Sequence, residues 1–147
     1  MLVEDICQRD VVTVAREAAL GDAARLMREN HVGDVVVVDA ERRPLGIITD
    51  RDLVIEVLAR EIEQDSVRVG DLVAADQLHV TRLDDSVLKA MQIMSDKGVH
   101  RLPVVDARGE LAGIVSSDEM LSLLSRYLES MSELSRRARS REARMRV

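Results

Sequence analysis

Twice in this chain a hydroxyl residue is followed three positions later by a carboxylate, at the end of an apolar run that opens on glycine. The two stretches are Gly46-Ile47-Ile48-Thr49-Asp50-Arg51-Asp52 and Gly113-Ile114-Val115-Ser116-Ser117-Asp118-Glu119. A carboxylate accepts two hydrogen bonds side by side, which suits the adjacent 2′ and 3′ hydroxyls of a ribose. A hydroxyl residue that opens a helix stands among free backbone N–H groups at the positive end of the helix dipole, where phosphate is favoured. His100-Arg101 adds a guanidinium able to chelate a phosphate through two parallel donors, with an imidazole beside it. The same spacing satisfies a helix capping box, worth on the order of 1 kcal/mol for the cap, so the pattern alone does not separate a ligand site from a helix start. His31, one residue from an expected helix end, and His79 read as surface or capping residues rather than ligands.

Both stretches belong to a longer repeat. From Ala23 onward the second copy lies 67 positions after the first, pairing Met27 with Met94, Val32 with Val99, Val37-Val38-Asp39-Ala40 with Val104-Val105-Asp106-Ala107, and Gly46-Ile47 with Gly113-Ile114. Upstream the offset is 66, pairing Val3, Asp5, Asp10 and Val14 with Val69, Asp71, Asp76 and Val80. The elements of one copy follow from its patterning. Val3 to Cys7 reads as a helical turn and Val11 to Val14, β-branched between polar residues, as a short strand. Ala18 to Asn30 places Ala19, Ala23, Leu26 and Met27 on one helix face, and Gly33 is free to take a positive φ where that helix ends. Val35 to Val38 is a continuous apolar run, as expected of a strand covered on both faces. The short turn to the strand Leu45 to Thr49 implies a hairpin. A helix from Asp52 to Glu61 follows, whose Leu53, Ile55, Val57 and Leu58 are too apolar to be wholly exposed. The unit is β-α-β-β-α, and it recurs up to a last helix that outruns its counterpart. There Leu124, Leu128, Met131 and Leu134 continue an apolar stripe that the two units cannot fully cover and that is expected to be buried in a symmetric dimer, and an arginine-rich end follows. The expected division is 1–62, 63–125 and a basic helical extension, 126–147.

The chain has 147 residues, 46% of them hydrophobic, no Trp or Phe and one Tyr. A copy of roughly 60 residues buries only about 60% of the surface its unfolded chain exposes, so two copies packed together are the stable arrangement. Stacking of nucleic-acid bases on aromatic side chains is excluded by the census. Residues 126–147 carry seven Arg against three Glu, which leaves a balance of −10 on the rest of a chain whose total is −6. That acidic body argues against a general nucleic-acid binder. The absence of a run of about 20 apolar residues speaks against a membrane span, and Glu4 and Asp5 close behind Met1 do not fit a signal peptide, so a cytoplasmic location is expected. Cys7, the one cysteine, reads as a small half-buried residue.

Paired β-α-β-β-α units with a Gly-hydrophobic-hydrophobic-Ser/Thr-x-x-Asp strand end and a Gly-Val-x-x-Leu-Pro-Val-Val-Asp strand entry resemble the tandem cystathionine-β-synthase (CBS) domain, or Bateman module, over about residues 1–125. The first copy lacks the Leu102-Pro103 of the second, and the second ends its motif in Glu119 rather than Asp. The resemblance implies an α/β (α+β) fold of two pseudo-twofold-related repeats. It also implies a regulatory module that binds adenosine-containing ligands in clefts between the repeats, and homodimerisation through the repeats, to which the apolar stripe of the C-terminal helix is expected to add. Carried over residue by residue, one cleft pools Ile47, Thr49 and Asp52 with Val99, His100 and Arg101. The other pools Ile114, Ser116 and Glu119 with Val32, Gly33 and Asp34, and is expected to be degenerate because Asp34 replaces arginine and repels phosphate. The expected ligand is an adenine nucleotide (AMP, ADP or ATP), with adenosylmethionine and NAD as other candidates, and the output passes to an effector protein. The competing reading is an oligomerisation adaptor with empty clefts. An enzyme is not expected, because no nucleophile triad, phosphate loop or metal cluster is visible in the sequence.

Overall fold

The computed structural model describes residues 1–146. Each repeat forms its own three-stranded sheet, its strands side by side in chain order. In the first, β1 (Thr13–Ala15) leads into α1 (Leu20–Asn30), which returns the chain to β2 (Asp34–Val38) parallel to β1. A tight turn then brings β3 (Pro44–Thr49) back antiparallel to β2. The second repeats this with β4 (Thr81–Arg82), α3 (Val87–Lys97), β5 (Arg101–Val105) and β6 (Leu111–Ser116). The central strand of each sheet is the most apolar because it is covered on both faces: Val35, Val36 and Val37 are buried, as are Leu102 and Val104.

The helices between the strands bury one stripe each, Leu20, Ala23 and Met27 on α1 and Val87, Ala90 and Met94 on α3. Ser86 caps α3 by accepting a hydrogen bond from the Lys89 N–H. The left-handed residue that ends α1 is His31, with φ 54°, and not Gly33, as the sequence suggested. Its counterpart at the end of α3 is Gly98, with φ 64°, where the absence of Cβ removes the steric cost of that conformation.

Two cores result, and each borrows a residue from the other repeat. Val69 is buried with Val14, Leu20, Ala23 and Ile48 of the first repeat, and Val3 with Val87, Ala90, Leu102 and Val115 of the second. Backbone bonds hold both crossings: Val3 N–H donates to the Asp85 carbonyl at 2.8 Å, and Val69 N–H to the Ala18 carbonyl at 3.0 Å. This reciprocal exchange relates the repeats by a pseudo-twofold axis and makes neither core complete alone.

After β3 the chain makes one α-helical turn, α2 (Asp50–Asp52), and then widens into a π-helical segment, Leu53–Leu58. Val57 is buried and Leu53 half-buried there, while Ile55 and Leu58 are partly covered, at 40% and 64% exposure. The corresponding α4 (Ser117–Met145) is a regular helix of 29 residues, about 43 Å long at its usual rise. Met120 is its buried residue, while Leu124, Leu128, Met131 and Leu134 are at least half exposed within one chain. The burial expected for that stripe is therefore not supplied by the chain itself. Among the described residues no helix is long and apolar enough to cross a membrane.

Candidate functional site

The end of β3 and the start of α2 form the expected reciprocal cap. The Thr49 hydroxyl accepts a hydrogen bond from the Asp52 N–H at 3.0 Å, and one carboxylate oxygen of Asp52, Oδ2, accepts from the Thr49 N–H at 2.8 Å. Capping and ligand binding are not alternatives here, because the box uses Oδ2 and leaves Oδ1. The other early N–H groups are spent inside the protein. Asp50 N–H donates to the Gly33 carbonyl at 2.9 Å and Arg51 N–H to the Asp50 carboxylate at 2.8 Å. The free donors that the sequence suggested for phosphate at this helix start are thus already satisfied, with two carboxylates in the first turn.

Ile47, Thr49 and Asp52 line a cleft of about 420 Å³ whose opposite side is Val99, His100 and Arg101, the residues that lead into and open β5. The third wall was not anticipated. It is the segment that crosses between repeats, with Val73, Leu78 and His79 facing the cleft. That segment lies directly on β3 because residue 46 is glycine: a Cβ there would stand 2.1 Å from Val73 Cγ1. Its counterpart Gly113 admits the Gln8 carbonyl in the same way, at 2.8 Å from a Cβ. A glycine inside each strand pattern was the sequence signal for such an approach.

A second cleft, about 310 Å³, brings together Val32, Gly33 and Asp34 with Ile114, Ser116 and Glu119. Here both carboxylate oxygens already accept a hydrogen bond. Glu119 Oε2 accepts from the Ser116 N–H at 2.5 Å, and Oε1 accepts from the Gln8 side-chain amide at 2.6 Å. Asp10 and Asp118 also line this cleft, so it is the more acidic of the two. His31 stands at its edge as well as ending α1.

Arg101 joins the clefts. It lines both, and its guanidinium forms an ion pair with the Asp34 carboxylate. The two residues occupy equivalent positions in the repeats, 67 apart, so they meet across the pseudo-twofold axis. The Asp34 side chain is 13% exposed and that of Arg101 45%. Among the described residues no group of three or more potential metal ligands is found.

The family model of the CBS domain matches residues 3–59 and again 69–126. The uncharacterized protein MK0525 of Methanopyrus kandleri is 38% identical over 121 residues, which cover 82% of this chain and 61% of that protein. Hypoxic response protein 1 of Mycobacterium tuberculosis is 30% identical over 116 residues, covering 79% of this chain and 80% of it. A crystal structure of Hypoxic Response Protein I with two coordinated zinc ions matches at 28% identity with a TM-score of 0.74, over 83% of this chain and 98% of that one. The same fold, at 24% identity and a TM-score of 0.73, over 86% of this chain and 98% of that one, is present in the CBS domain pair of protein MJ0100, crystallised with 5-methylthioadenosine and S-adenosyl-L-methionine.

Proposed function

Because this chain belongs to the CBS-domain family and carries that domain twice, we propose that it is a regulatory module sensing an adenosine-containing ligand in the Thr49–Asp52 cleft. The observation that carries this reading is the asymmetry of the two caps: Asp52 keeps one carboxylate oxygen beyond its cap, whereas both oxygens of Glu119 are taken. Asp52 would hold the ribose, and the apolar side chains of Ile47, Val73, Leu78 and Val99 would flank the base. The second cleft, with Asp34 and an engaged Glu119, binds no such ligand on this reading.

Occupancy would be passed on by biasing how the two repeats pack, since each core contains a residue of the other. We further propose a homodimer through the exposed apolar faces of the 53–58 segment and α4, with an effector protein reading its state. Catalysis is no part of the proposal, because Asp52 and Glu119 stand in separate clefts and do not form an acid–base pair. A thermal-shift panel of AMP, ADP, ATP, adenosylmethionine, methylthioadenosine and NAD tests the reading. A ligand at 100 times its dissociation constant adds about 2.7 kcal/mol, a shift of roughly 5–10 °C for a chain of this size. No shift with any compound would leave the adaptor reading, which the unpartnered stripe of α4 favours.

A further inference from the structure

Among the described residues Arg101 is the one lysine or arginine that lines the first cleft, and it is already paired with Asp34. Asp52 lines the same cleft with its Oδ1 outside the cap, and Asp50 precedes it in the first helical turn. The N–H groups of Thr49, Asp50, Arg51 and Asp52, which would otherwise receive an anion, are all bonded within the protein. Three features thus work against phosphate: a cation already paired, a carboxylate in the cleft and a helix start whose N–H groups are bonded.

Resting on the proposed adenosine site, we infer that Asp34, although it belongs to the second cleft, is the specificity-determining residue of the first. By holding Arg101 across the pseudo-twofold axis it sets the site to read the nucleoside and to gain nothing from a phosphate. An adenosine derivative with a neutral or cationic 5′ substituent is the ligand class this charge pattern fits, and a phosphorylated one must first take the guanidinium from Asp34. The two clefts are coupled by the same pair, since withdrawal of Arg101 uncovers Asp34 in a cleft already lined by Asp10, Asp118 and Glu119.

Calorimetric titration of the full chain with adenosine and with AMP tests this through the ratio of the two affinities. In the unmodified protein the two bind within about threefold of each other, since a guanidinium already paired with a carboxylate adds little. Asp34→Asn releases the guanidinium, and the AMP-to-adenosine affinity ratio rises by about tenfold, as a charge-assisted hydrogen bond to phosphate supplies. Asp34→Ala gives the same rise should the asparagine side chain still engage Arg101. Adding Arg101→Ala to either variant returns the ratio to its starting value. An unmodified protein that already prefers AMP tenfold, or a ratio that neither Asp34 variant moves, overturns the inference while leaving the adenosine site standing. Absence of binding by either compound removes the adenosine site and this inference with it.

Discussion

Replacing Gly46 by alanine puts a methyl group where Val73 already stands. The added Cβ would lie 2.1 Å from Val73 Cγ1, 3.4 Å from its Cβ and 3.5 Å from its Cγ2. Carbon atoms in contact sit about 3.5–4.0 Å apart, so the first of these distances is an overlap of well over an ångström. Val73 can relieve this only by leaving its rotamer, because a β-branched side chain keeps few χ1 choices and one of the two alternatives puts its other methyl in the same place. Overpacking of this kind costs about 1–3 kcal/mol, or about 2–12 °C of melting temperature. Val73→Ala alone removes two half-buried methyl groups and costs about 1 kcal/mol. In the double variant the clash is gone, so its stability should be close to that of Val73→Ala, with a favourable coupling of about 1–3 kcal/mol. Urea unfolding of the four proteins at one fixed concentration measures this cycle. Additive single effects would refute the close approach of the crossing segment to β3, and with it the third wall of the cleft.

Asp85 offers a pH-dependent counterpart. Burial alone would raise its carboxyl pKa, but hydrogen bonds from Lys89, from the Arg82 N–H and from the Thr81 hydroxyl outweigh it and hold the group below the usual carboxylate range. A lowered folded value means that its stabilisation is complete above the unfolded value of about 3.9 and is lost as pH falls through the folded one. The stability gap between the unmodified protein and Asp85→Asn should therefore shrink from about pH 6 to about pH 2, and a gap that stays constant contradicts the account. Truncation after Arg126 removes Leu128, Met131 and Leu134, each worth roughly 1.5–3 kcal/mol if covered by a second copy, and should weaken a dimer at least about a hundredfold at any salt concentration. An unchanged dissociation constant by analytical ultracentrifugation would release α4 for a different partner.

The repeat offset carried most of what could be read from the sequence. It placed Thr49 and Asp52 at one strand end and Val99 to Arg101 at the entry to another, and the fold brings these two groups to one cleft. The Asp34–Arg101 pair was legible in principle, since residues of opposite charge stood at equivalent positions and a pseudo-twofold axis brings equivalent positions together. The crossing of Val3 and Val69 was not, because a single turn of 3₁₀ helix has no periodicity that says which sheet it packs on. His79 was read as a surface residue for the same reason: its place in the first cleft depends on that crossing. Gly33 drew the helix end toward itself, but the left-handed position falls on His31, the counterpart of Gly98. The length of the α4 stripe already says that two repeats cannot cover it, and one chain leaves it exposed; apolar character, there as at Ile55 and Leu58, reports a preference for burial and not what supplies the cover.

Calorimetric stoichiometry of adenosine on the full chain bears most directly on the proposed asymmetry of the two clefts. One site per chain is predicted. Asp52→Asn should weaken it by about 10–100-fold, because the amide keeps an oxygen for the Thr49 cap but removes the charged acceptor that would hold a ribose. Two equal sites per chain, or an affinity that Asp52→Asn does not change, would contradict the assignment of one competent and one degenerate cleft.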